Sequence, residues 1–125
     1  MTVDHLANAL LVLVGLVNAV PGLIGSLSVE RAATAYGIAV DSPDLAVVLR
    51  HRGVLLLIVG LGLIVAPWWP EIRTAAIAAG VISMASYVAI ALAKPGLGRP
   101  LRKVMWVDVG ALALVAVAVV LLAAG

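Results

Sequence analysis

The sequence predicts an all-α fold, an integral membrane four-helix bundle with a short interfacial helix between helices 1 and 2. Of its 125 residues, 65% are hydrophobic and 11% are charged, and the mean hydropathy is +1.25. Soluble domains are about 45–50% apolar and about 25% charged. Four apolar stretches approach the ~20 residues with which a helix crosses a bilayer, and the alternation of barrel strands is absent. We expect one domain, 1–125, with spans at about 5–27, 43–69, 73–93 and 103–124.

The first span, 5–27, is interpreted as a membrane helix and not as a cleaved signal peptide. The segment "MTVDH" carries no Lys or Arg, and no convincing A-x-A cleavage site follows the apolar run. Pro21 predicts a kink or an early end of this helix. The next segment, "SVERAATAYG", predicts a short helix that Ser28 caps and Gly37 ends. One side of it carries residues suited to the membrane interface: Val29, Ala33 and Tyr36.

The second helix is expected to start well before its apolar run. In "DSPD", Ser42 is a favourable N-cap, Pro43 suits the first helical position, and Asp44 suits the first turn. A helix of about 25 residues from this point would be about 37 Å long. The triplet Arg50-His51-Arg52 therefore falls inside the helix, near the membrane boundary.

The basic residues predict the orientation of the four spans. Loops 1–2 and 3–4 with the adjoining helix ends share one side and carry seven of the eight: Arg31, Arg50, Arg52, Lys94, Arg99, Arg102 and Lys103. Arg73 is on the other side. Because Lys and Arg concentrate in cytoplasmic loops, both termini are expected outside, with the protein in the inner (plasma) membrane. Trp68 and Trp69 would then mark the outer interface, and Trp106 the inner one.

One acidic residue, Asp108, lies within the apolar part of a predicted span, where a carboxylate costs about 2.5–3.5 kcal/mol at the helix centre. Arg50 lies at comparable depth on helix 2, about 200° around the helix from Arg52. The close-packing side of helix 2 is expected to hold three small residues, Ala46, Gly53 and Gly60. Because Arg50 is nearer to that side, we expect it to pair with Asp108, whereas Arg52 reaches the lipid head groups.

Together these polar residues predict a pocket in the cytoplasmic half of the bundle. The candidate catalytic residues are Asp108, His51 and Tyr87, and the candidate ligand-binding residues are Arg50, Asn18, Ser86 and Ser26. Helix packing and topology anchoring are the alternative interpretations of the same residues. No metal site is expected, because the sequence has no cysteine and its two histidines, His5 and His51, are predicted at opposite faces.

Three segments, "AYGIAVDSPDLAVVLRHRG", "AAGVISMASYVAIAL" and "RKVMWVDVGAL", resemble small bacterial, actinobacterial-type four-helix membrane proteins of the DoxX-like superfamily. The resemblance covers about Asn8 to Leu121. The matching features are Tyr36-Gly37, Asp41 to Leu45, Arg50 to Arg52, Ser83-Met84 and Asp108, and Ser42 before Pro43 is a small departure. The resemblance implies a four-helix membrane fold without a settled activity. Some members are labelled phosphopantetheine adenylyltransferase, which we reject here because the chain lacks a soluble nucleotide-binding α/β domain.

Three functions are consistent with these features. The first is binding or transformation of a lipophilic small molecule, in which Asp108 with Tyr87 or His51 handles a proton. The second is a non-catalytic subunit or scaffold, in a homo-oligomer or with a membrane protein partner. The third is a small proton-coupled exporter. It ranks last because small multidrug exporters with four helices carry a membrane glutamate in helix 1, whereas helix 1 here offers Asn8 and Asn18, which do not titrate. The expected partner is the lipid bilayer, and neither a cofactor nor nucleic acid is expected.

The charge distribution yields a direct test of orientation. A fusion of alkaline phosphatase to Gly125 should be active, and a fusion of a cytoplasmic fluorescent protein at the same position should be dark, because the C-terminus is expected outside. The reverse pattern would overturn the predicted topology.

Overall fold

The structure, a computed structural model, describes residues 3–125, which form helices and connecting turns and no strand. The helices are α1 Val3–Leu27, α2 Val29–Tyr36, α3 Pro43–Val65, α4 Pro70–Leu92 and α5 Arg99–Ala124, and a 3-10 turn, Ala66–Trp68, continues α3. Four of these segments, α1, Pro43–Trp68, α4 and α5, are long and apolar enough to cross a membrane. The predicted all-α bundle is confirmed, and the chain is a small multi-pass membrane protein.

The ends of α2 and α3 form as their local chemistry predicts. Ser28 Oγ accepts a hydrogen bond from the backbone N–H of Arg31 at 3.2 Å, and α2 ends at Gly37 with a φ of 68°. At the start of α3, Ser42 Oγ accepts from the backbone N–H of Leu45 at 3.1 Å. Each serine thus satisfies an amide that has no partner within the helix.

Pro21 lies inside α1, which continues past it to Leu27, so the early end that it suggested does not occur. A proline in a membrane helix is tolerated where neighbouring groups satisfy the backbone carbonyl that it frees. Because α1 continues, its last turns reach the loop that connects it to α2.

α1 and α3 form the most extensive helix contact in the bundle. Glycines on the two helices face each other: a Cβ on Gly15 would lie 2.7 Å from Gly60 O, and one on Gly22 would lie 2.8 Å from Gly53 O. Small residues let membrane helices approach until their backbones touch. Any side chain at these positions would push α1 and α3 apart.

The bundle core lies between α1, α3, α4 and α5. Its buried side chains are Ala7, Leu11, Val14, Leu63, Met84, Ala111, Val115 and Ala118. At one end of the bundle, which we call the basic end, are α2, the start of α3 and the loop between α4 and α5. There α2 packs on α3 through Val29, Ala33 and Leu49, and Gly37 lies against Pro100 of α5.

The glycine contact predicts an unequal response to alanine. Gly60→Ala should destabilise the bundle by about 1–3 kcal/mol, because its new methyl group would meet the backbone of α1. Gly110→Ala is the control, since a Cβ there has no neighbour within 4 Å. Unfolding in detergent measures both variants. Equal stabilities would mean that the close α1–α3 approach contributes nothing.

Candidate functional site

A cleft of about 440 Å³ lies near the basic end, between α1 and α5. α2 covers it, and α3 contributes Arg52 and Leu56 to its wall. Its apolar lining includes Val17, Val20, Pro21, Ile24, Val104 and Val107. Its polar lining is formed by Asn18, Arg31, Tyr36, Arg52, Lys103 and Asp108. The cleft thus combines an apolar wall with a small group of polar side chains.

Arg52 is held in place by two tyrosines from different helices. Its guanidinium carbon lies 5.3 Å from the centre of the Tyr36 ring and 5.0 Å from that of Tyr87. Arg52 Nε also donates a hydrogen bond to Tyr36 Oη at 3.0 Å. The Tyr87 hydroxyl in turn donates to the carbonyl of Leu101 at 3.1 Å. These contacts connect α2, α3, α4 and the start of α5 through one cation.

The structure reverses the expected orientations of the two arginines. Arg52 lines the cleft, whereas Arg50 is exposed and lies with His51 on a shallow groove on another side of α3. The prediction of an inward Arg50 and an outward Arg52 was therefore wrong. The prediction considered only the small residues of the second membrane helix, which is α3 in the structure. Leu49 and Leu63 on the same helix are buried as well. Around the helix, Arg52 is about 20° from Leu63, which places it beside the buried face.

Asp108 lines the same cleft as Arg52 and is partly buried. The base whose charge acts on this carboxylate is Arg52 and not Arg50. Among residues 3–125, no donor forms a hydrogen bond to Asp108 and no base lies within ion-pair distance of it. The carboxylate is therefore available to a group inside the cleft.

Asn18 is buried, with 3% of its surface exposed, and it also lines the cleft. Its side-chain nitrogen donates to the carbonyl of Val14 at 3.0 Å and contacts the sulfur of Met84 at 3.7 Å. No described residue donates a hydrogen bond to its side-chain oxygen. An amide inside an apolar bundle needs polar partners, and this acceptor still lacks one.

The structure separates the other candidate residues into two groups. Tyr87 joins the cleft through Arg52. Ser26 donates to the carbonyl of Gly22 at 2.7 Å, and Ser86 is exposed and donates to the carbonyl of Ser83 at 2.9 Å. Both serines bond to their own helix, as hydroxyls within helices commonly do. Ser26, Ser86, Arg50 and His51 do not line the cleft.

Besides Arg52, the sequence analysis missed three polar cleft residues as site residues: Tyr36, Arg31 and Lys103. Tyr36 was expected only at the membrane interface, and the two bases only as orientation signals. The available signal was the short α2 helix itself, which has Arg31 and Tyr36 near its two ends. Neither the capping residues of α2 nor the distribution of basic residues in the sequence reveals that α2 lies over α1 and α5.

Comparisons with protein-family models, curated proteins and solved structures find no match for this chain. Within the described part of the chain, no three His, Cys, Asp or Glu side chains group as metal ligands would. The chemistry of the cleft is therefore inferred from the side chains that line it. It offers a fixed cation, a carboxylate and an amide oxygen beside an apolar wall.

A double-mutant cycle tests whether the charge of Arg52, and not that of Arg50, acts on Asp108. Arg52→Gln and Asp108→Asn should be non-additive, with a coupling of at least about 0.5 kcal/mol in the free energy of unfolding, because each charge acts on the other through the cleft. Arg50→Gln with Asp108→Asn is the matched control and should be additive within about 0.5 kcal/mol. Coupling to Arg50 and none to Arg52 would contradict the observed orientations.

Proposed function

We propose that the cleft binds a lipophilic small molecule whose polar end lies against Arg52. The observation that carries this proposal is the enclosed guanidinium, held between two tyrosine rings at the wall of a largely apolar cleft. Small-molecule sites are typically concave, about 300–1,000 Å³ in volume, and mostly apolar with a few well-placed polar groups. The 440 Å³ cleft has these properties.

The position of the cleft favours a ligand that arrives from the membrane. Three residues of its rim, Val20 and Ile24 on α1 and Val107 on α5, are 52%, 40% and 46% exposed. On helices that span a bilayer, exposed apolar side chains at this depth face lipid. A molecule with a hydrocarbon part can therefore enter sideways between α1 and α5 without crossing water.

The polar groups of the cleft have complementary tasks in binding. Arg52 uses Nε for Tyr36, and its two terminal nitrogens donate to no described residue. They can therefore donate to an oxygen of the ligand in a fixed direction, as a planar guanidinium does well. Asn18 and Asp108 offer acceptors for a donor on the same ligand. Among residues 3–125, Asp108 is the one carboxylate that lines the cleft, and it is placed to accept a proton from a donor group of the ligand.

Orientation and family are part of the same proposal. With seven of eight basic residues at or near the basic end, this end is assigned to the cytoplasm and both termini to the outside of a bacterial plasma membrane. The chain is assigned to the DoxX-like superfamily on its sequence features. The cleft then opens in the cytoplasmic half of the bilayer.

The proposal is tested by the molecules that co-purify with the protein in a mild detergent. Wild type and Arg50→Gln should retain one defined lipophilic molecule, detected by mass spectrometry. Arg52→Gln should retain at least about tenfold less, because the ligand loses a charge-assisted hydrogen bond. Arg50→Gln is a matched control, since it removes the same charge from the same helix.

A second pair of variants covers the case in which Arg52→Gln does not fold. Val107→Trp fills the mouth of the cleft from an exposed position and should expel the molecule. Val117→Trp, at an exposed position of α5 away from the cleft, should not. Equal retention in both variants would overturn the proposal. A stoichiometric protein subunit with no small molecule would replace it with the scaffold function.

A further inference from the structure

We infer that the ligand of this cleft is an amphiphile with an acidic head group, and this inference rests on the proposed function. Three basic residues, Arg31, Arg52 and Lys103, line the cleft, against one acidic residue, Asp108. The excess of positive charge therefore lies along the lining of the cleft, with Arg52 partly buried and Arg31 and Lys103 exposed. A cationic or zwitterionic ammonium head group would meet this excess unfavourably.

The three bases come from three helices and line the same cleft. Arg31 on α2 and Lys103 on α5 are exposed near the basic end, and Arg52 on α3 is partly buried. A head group between them would contact Arg52 on its inner side and the two flexible bases on its outer side. A hydrocarbon chain attached to it would follow the apolar wall toward Val20 and Val107.

The aromatic rings of the site do not form a cage for a cationic ligand. Tyr36 and Tyr87 are already stacked on the guanidinium of Arg52, so their faces serve a cation of the protein itself. Such stacking fixes the guanidinium and leaves its edge for hydrogen bonds. A ligand in the cleft therefore meets the N–H donors of Arg52 and not the ring faces of Tyr36 and Tyr87.

The acceptors beside Arg52 define the head group further. The Asp108 carboxylate and the Asn18 oxygen receive no hydrogen bond from the described residues, so each requires a donor. An acidic group that also carries an O–H satisfies both sides: its charged oxygen accepts from Arg52 and its hydroxyl donates to Asp108. A phosphate monoester in its singly protonated form, which is populated at about pH 6 and below, has both, whereas an alcohol lacks the charge.

Arg50, the other arginine on α3, does not share the surroundings of Arg52. Arg50 lies on a shallow, open groove with His51 and apolar neighbours such as Val47 and Val54. No tyrosine stacks on it and no carboxylate lines that groove. Arg50 is placed as an ordinary surface base, and the convergence on the cleft is specific to Arg31, Arg52 and Lys103.

The test compares probes with the same tail and different head groups. Tetradecyl phosphate, tetradecanol, tetradecyltrimethylammonium and inorganic phosphate are titrated into the purified, ligand-stripped full chain in a nonionic detergent, with melting temperature and affinity as readouts. Tetradecyl phosphate should bind at least about tenfold more tightly than tetradecanol, because the charged oxygen accepts from Arg52. The ammonium probe and inorganic phosphate should not bind measurably.

Two double variants separate the cleft from general attraction of charge. Arg31→Gln with Lys103→Gln should weaken tetradecyl phosphate about fivefold or more and leave tetradecanol unchanged. Arg99→Gln with Arg102→Gln is the matched control, because it removes two exposed bases near the start of α5 that do not line the cleft. Equal weakening by the two double variants would overturn the inferred contacts.

The remaining outcomes distinguish this inference from the proposed function. Equal affinity for tetradecyl phosphate and tetradecanol would overturn the acidic head group and leave a lipophilic ligand standing. Binding of inorganic phosphate as tight as that of tetradecyl phosphate would support the anion contacts and overturn the lipophilic ligand. If none of the probes binds, and no molecule co-purifies with the wild type, both proposals fail together.

Discussion

The close approach of α1 and α3 is the constraint on which the other features of the structure depend. Gly53 and Gly60 on α3 touch the backbone of α1, so these helices have little freedom to separate or to rotate against each other. Fixing the rotation of α3 also fixes the directions of the side chains near its start. Arg52 is thereby turned to the cleft and Arg50 away from it. The apolar contact between α1 and α3 thus determines that Arg52, and not Arg50, lines the cleft.

The surroundings of Arg52 offset much of the cost of placing a charge beside apolar helices. A cation over aromatic rings gains about 0.5–2 kcal/mol for each favourable contact, and a hydrogen bond adds about 1 kcal/mol. Insertion scales assign an arginine about 2.5–3.5 kcal/mol at the centre of a membrane helix and less toward its ends, where Arg52 lies, so these gains are large enough to offset the cost. One of the two rings comes from α2, which therefore acts as part of the site and not only as a connection between α1 and α3.

The sequence was sufficient for the features that depend on local chemistry. Ser28, Gly37 and Ser42 mark helix ends because capping involves residues within one turn, and the four long apolar helices follow from composition and length. The site was only partly predictable, because it depends on helix rotation. Asp108 and Asn18 line the cleft and Tyr87 contacts Arg52, whereas Ser26 and Ser86 satisfy their own helices. The choice between the two arginines required Leu49 and Leu63, whose burial depends on α2, α4 and α5.

Comparison of the two arginines also argues against a purely structural explanation of the site. Both lie near the same end of α3 and contribute equally to the charge bias that orients a membrane protein. Arg50 does this from an exposed position, without aromatic contacts. An anchoring function would need nothing more at Arg52, yet Arg52 is enclosed by two tyrosines and faces a carboxylate without a hydrogen-bond donor. A structural ion pair would bring Asp108 within bonding distance of its base, and no such pair forms between Asp108 and the described basic residues. The arrangement leaves donors and acceptors for a molecule between them, which is what a binding site requires.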